Sequence, residues 1–176
     1  MAGKKRTFGW LATVTATGAL VLGAGTAGAA SPFVQAQGAL SDLAPATADA
    51  TDGASGQFYA IAGGGQTTFV LFVSGLNPAS AGTTYGAHVH VGTCEAGNGA
   101  AAGPHYNTGG TPSTTTEVWL DFKVLPGGYG FAVTTTPFVI EPGTARAVVI
   151  HAQPTQAGGA TPGAAGGRIA CLPVAL

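Results

Sequence analysis

Four residues in this chain have the type and placement to hold a metal: His88, His90, His105 and His151, the only histidines present. Imidazole is the commonest protein metal ligand, and four of them suit copper(II) in tetragonal nitrogen coordination, or zinc. His88 and His90 stand two apart in a stretch that reads as a strand, so both project from one face, while Ala87, Val89 and Val91 turn to the core. His151 ends the apolar run Ala147-Val148-Val149-Ile150, with Ile150 on the opposite face. His105 lies in the glycine-rich sequence Ala102-Gly103-Pro104-His105-Tyr106-Asn107. Each alone has an ordinary explanation, a solvated strand pair or an idle loop residue. Only the set of four makes a site, and spacing does not choose between copper and zinc.

The elements that must position them read as strands. Gln57–Ala62 and Thr67–Ser74 are β-branched and aromatic, divided by Gly63-Gly64-Gly65, a hairpin signature. Tyr85–Val91 is a further strand, followed by a long loop of Gly, Ala, Asn and Pro over 92–113. From Glu117 to Val124 the pattern alternates: Val118, Leu120, Phe122 and Val124 share one face, Glu117, Trp119, Asp121 and Lys123 the other. Pro126-Gly127-Gly128 makes a turn into Gly130–Thr135, and Ala145–Ala152 and Ile169–Val174 complete the set. The loop at 153–167 is Gly, Ala, Pro and Thr in the main. No segment has the length and period of a good helix. Short strands and glycine-rich turns predict an all-β antiparallel sandwich or barrel with long loops.

At the N-terminus, Lys4, Lys5 and Arg6 precede an apolar run over 10–25 and the small-residue pattern Ala27-Gly28-Ala29. That order predicts a secretory signal peptide over 1–30. An uncleaved anchor is the alternative, but the run is short for a membrane span and broken by threonine and glycine. Residues 31–56, rich in Ala, Ser, Thr, Pro and Asp, read as a flexible linker, ending at most in one weak edge strand. The domain is then 57–176. Beyond the basic patch, three basic residues against seven acidic ones leave a net charge of −4. Such a chain has no basic surface for a phosphate backbone, which excludes nucleic acid as a natural partner. No membrane contact is expected beyond the signal peptide.

The two cysteines, Cys94 and Cys171, sit in a chain expected to be exported, where one disulfide is the natural reading and two free thiols the alternative. The bridge would close a loop of 77 residues, worth about 4 kcal/mol on chain-entropy grounds.

Gly86-Ala87-His88-Val89-His90, Cys94, Ala102-Gly103-Pro104-His105-Tyr106-Asn107, Val148-Val149-Ile150-His151 and Gly167-Arg168-Ile169-Ala170-Cys171 follow one another in an order that resembles the copper–zinc superoxide dismutases. The likeness covers about residues 57–176. It implies a Greek-key β-barrel of about eight strands, with His88, His90, His105 and His151 as copper ligands and Cys94–Cys171 bridged. It also implies that Arg168 guides superoxide and that His105 takes part in catalysis. In the family, His105 would bridge copper to zinc, with two more histidines and an aspartate completing the zinc site. Here no histidine remains, Glu117 stands at one of those histidine positions and Leu120 at the aspartate position, with Asp121 one place out of register. Zinc is therefore not expected.

The pattern resembles the copper-only members, in which a glutamate partners the loop histidine. A carboxylate accepting the far N–H of His105 would orient it, while a solvated Glu117 at a strand start is the plain alternative. Residues 152–167 carry no charge, so steering of an anion would rest on Arg168. A copper-sequestering domain on the same fold is the rival function. Delivery of Cu(I) would call for soft ligands, and Met1 is the only methionine.

Overall fold

The computed structural model describes residues 33–176. The expected signal peptide lies outside the described residues. Among the described residues there are ten strands: β1 Phe33–Ala39, β2 Ser41–Asp42, β3 Ser55–Gly63, β4 Gln66–Ser74, β5 Thr84–Tyr85, β6 Ala87–His90, β7 Phe122–Lys123, β8 Tyr129–Thr136, β9 Ala147–His151 and β10 Arg168–Pro173. Eight of them form two four-stranded antiparallel sheets, in the orders β1-β3-β4-β8 and β2-β10-β9-β6, and β5 pairs with β7. The result is an all-β sandwich rather than a closed barrel.

The first sheet is built around one local hairpin, to which β8 adds from far along the chain. β3 turns into β4 through Gly64 and Gly65, both at positive φ (61° and 78°), as a two-residue primed hairpin turn requires. The inward positions Phe58, Ala60, Phe69, Leu71 and Val73 are buried. They meet Val89, Val148, Ile150 and Leu172 of the second sheet in one core.

The second sheet is covered on its outer face as well. Every residue of β6 and β9 is buried. In register, His88 lies opposite Val149 and His90 opposite Ala147, so both histidines share the outer face of the sheet with those two residues. Ala147, Val149 and Cys171 pack there with Leu43, Ala102 and Cys94 in a smaller cluster. The disulfide Cys94–Cys171 ties the covering loop to β10. Ala87 and Val89 face the core as expected, but Val91 does not: it lies past the end of β6 and is 36% exposed.

Two further expectations are corrected. The segment 31–56 is not a linker where it is described: β1 pairs with β3 over seven residues, β2 pairs with β10, and Leu43, Ala50 and Ala54 are buried. The fold thus includes residues from Phe33 onward. Its acidic residues cap turns, with Asp42 accepting the N–H of Ala44 and Asp49 that of Thr51. Glu117–Val124 is also not one strand. Val118, Leu120, Phe122 and Val124 are buried as their alternation requires, but the segment changes partner along its length. Glu117 bridges Asn107, Trp119 bridges His88, and only Phe122–Lys123 pairs with β5.

Candidate metal centre

The four histidines come from three places in the chain. His88 and His90 are fixed by β6, and His151 ends β9 beside it. His105 arrives from the long loop, where it bridges His90 and where Tyr106 donates its N–H to the Val89 carbonyl. One potential ligand nitrogen from each lies within 4.8 Å of the others. His88, His90 and His151 are buried, while the His105 side chain keeps 19% exposure.

What faces the other ring nitrogen decides which one is free. Nδ1 of His90 lies 3.0 Å from the Gly103 carbonyl, Nδ1 of His151 3.3 Å from the Gly166 carbonyl, and Nδ1 of His105 2.8 Å from Glu117 Oε2. These acceptors hold a proton on Nδ1 and leave Nε2 with a lone pair. The Nε2 atoms of His90 and His151 then stand 3.3 Å apart. His88 is reversed: Nε2 contacts Thr155 Oγ1 at 2.6 Å, and Nδ1 is buried with no hydrogen-bond partner. A buried nitrogen without a partner is costly, and a metal among the four lone pairs would satisfy it.

Burial and mutual repulsion keep His88, His90 and His151 neutral. Burial pushes His90 down to about 3 and His151 down to about 4, with neighbouring His105 and Arg168 adding to the fall. Burial, then the charge of the other three histidines, pushes His88 far below the ordinary histidine range. At neutral pH these three present lone pairs rather than protons.

Glu117 is buried and fully engaged. Its carboxylate accepts from His105 Nδ1 and Trp119 Nε1 at Oε2, both at 2.8 Å, and from Asn107 Nδ2 at Oε1, at 2.9 Å. The solvated alternative is thereby set aside. Arg168, in register with His151, is half-buried, and its guanidinium donates to the Gly99 carbonyl. Burial lowers its pKa. Sequence reading missed Asn107 and Trp119 as partners of Glu117. Trp119 was legible as a residue on the face of Glu117, whereas the approach of Asn107 depends on a loop that no periodicity describes.

A two-sheet antiparallel sandwich carrying a four-imidazole cluster beside a disulfide-tied loop defines an all-β protein with a site that could hold a metal. The family model for copper/zinc superoxide dismutase matches residues 54–172. The chain belongs to that family. No curated protein sequence matches the chain. Among solved structures it is similar to a proline-to-histidine mutant of a SOD-like protein from Bacillus subtilis, at 16% identity and TM-score 0.58, covering 82% of this chain and 97% of that one. It is similar also to a double mutant of the SOD-like protein from that organism, at 17% identity and TM-score 0.58, covering 81% and 95%. These likenesses show the fold.

Proposed function

We propose that the chain is an exported, copper-dependent superoxide dismutase that works without a zinc site. The observation that carries the reading is the geometry of the cluster, in which one nitrogen of each ring meets an oxygen outside it while a nitrogen of each lies within 4.8 Å of the others. Four imidazole nitrogens fit copper(II). Bound copper would supply the one-electron chemistry, Cu(II) oxidising one superoxide to oxygen and Cu(I) reducing a second, which with two protons gives hydrogen peroxide.

The residues of the chain have separable roles. His88, His90, His105 and His151 hold the metal. Glu117 stands where the zinc of the family would act, fixing the tautomer and direction of His105 as a carboxylate does for other metal-bound imidazoles. His105, the most exposed of the four, carries a proton at Nε2 to the product, a role taken from the family. Arg168 draws the anion toward the site; its charge reaches His90 and His151. The disulfide fits an oxidising compartment outside the cytoplasm. Among the described residues, no helix is long and apolar enough to cross a membrane.

The test is superoxide loss catalysed by the purified chain after copper loading. Activity well above free copper is expected, and activity equal to free copper would overturn the enzyme reading. Passive copper sequestration is the second reading, favoured by the uncharged loop 152–167, which adds nothing to steering. Arg168→Ala separates the two. We expect about tenfold slower turnover at low salt, as loss of a steering charge gives, with copper affinity unchanged. Unchanged turnover would favour sequestration.

A further inference from the structure

We propose that Thr155, backed by Asp121, is a positioning residue that selects which nitrogen His88 presents to the cluster; the consequence for copper rests on the reading above, the tautomer itself does not. The Thr155 hydroxyl has one proton, and it is given to Asp121 Oδ1 at 2.5 Å. A carboxylate oxygen only accepts, so Thr155 Oγ1 has no proton left for His88 and must itself accept from Nε2–H, 2.6 Å away. The proton of His88 is thereby fixed on Nε2 and the lone pair on Nδ1, the reverse of the other three rings. The reversal has a geometric reason. Residues two apart on a strand are separated by about 6.6 Å, and rings rising from one face at that spacing meet at a point more readily through different nitrogens.

Asp121 grips Thr155 twice, since Oδ2 also accepts the Thr155 N–H at 2.8 Å. This anchors the loop 152–167 against β6. Gly86, the residue before that strand, lets the loop seat directly on the backbone. A Cβ there would stand 2.7 Å from Ala165 Cβ, 2.8 Å from the Gln153 carbonyl and 2.9 Å from Thr155 Oγ1. The same loop supplies the Gly166 carbonyl to His151, and Gly163, at φ +82°, leaves the space into which a Cβ would intrude on Glu117 Oε2 at 3.3 Å. One short uncharged loop therefore sets the orientation of two histidines and covers the carboxylate that orients a third. Its lack of charge follows: it is built to hold rings rather than to steer an anion.

The experiment uses the full chain with ¹⁵N-labelled histidine, first metal-free by NMR and then with Cu(II) by electron paramagnetic resonance and copper titration. In the wild type His88 should show a proton on Nε2 in a strong hydrogen bond and a bare Nδ1. Thr155→Val, which keeps the shape and removes the hydroxyl, should abolish the hydrogen-bonded Nε2–H signal, change the copper hyperfine pattern and weaken copper binding about ten- to a hundredfold, the range for lost orienting partners. Thr155→Ser should restore all three. A Thr155→Val chain with the wild-type His88 signals and hyperfine pattern would overturn the proposal, as would a folded Thr155→Ser chain that fails to recover them. If the metal-free NMR differences appear but the wild type takes up no copper, the copper reading fails and the positioning role stands.

Discussion

The two sheets of this molecule are made in different ways. The first is held by packing: β3 and β4 are joined by two glycines, side chains along both alternate in and out, and the inward ones fill the core it shares with the second sheet. The second is held on its outer face by directed hydrogen bonds as well. Its outer face is closed by the long loop after β6, which carries both Cys94 and His105. Hydrogen bonds to the far side of each imidazole do there what packed side chains do in the first sheet. Packing tolerates approximate order, whereas a converging set of lone pairs does not, and the site half spends its polar groups on that order.

The contrast can be broken by substitution. The largest effect is expected for His151→Ala, which removes one of four donors. Stoichiometric copper binding should be lost in titration while the circular dichroism of the sandwich persists, and retained tight binding would mean that the four rings do not act as one site. In the first sheet, Phe58→Ala empties a fully buried position and should cost about 3–5 kcal/mol of stability in denaturant unfolding, with copper affinity of the folded chain unchanged. A matching loss of affinity would show that the two halves are not separable.

Acid sharpens the difference from the other side. His90 and His151 are harder to protonate in the folded chain, at about 3 and about 4, than at the ordinary value of 6.5. As pH falls the unfolded chain therefore takes up protons first. The metal-free protein should be most stable above about 6.5 and lose several kcal/mol, on the order of 8, as pH falls toward 3, with His88 extending the loss to lower pH. His90→Gln should flatten that slope in urea titrations across pH. An unchanged slope would place the acid sensitivity elsewhere.

The same division explains what the sequence made legible. The β3–β4 hairpin, the buried face Val118, Leu120, Phe122 and Val124, and the His88/His90 pair all obey a local period, and all were readable. The four-histidine set and the Cys94–Cys171 bridge were readable because each uses every residue of its type in the chain. The strand at Phe33–Ala39 was missed because its inward side is Val34, Ala36 and Gly38. These bury too little to stand out from the small polar residues that follow, and the strand is held by pairing with β3 more than by packing. The roles of Asn107, Asp121 and Thr155 were hidden for another reason. Each acts through directed hydrogen bonds across a loop, and such bonds leave no repeat in the sequence.

The central claim is that one copper sits among four imidazoles and that Glu117, held by Asn107, Trp119 and His105, stands in place of zinc. Metal content measured after loading the chain with copper and zinc together tests it most directly. The account predicts one copper and no zinc per chain. One zinc for each copper would contradict it.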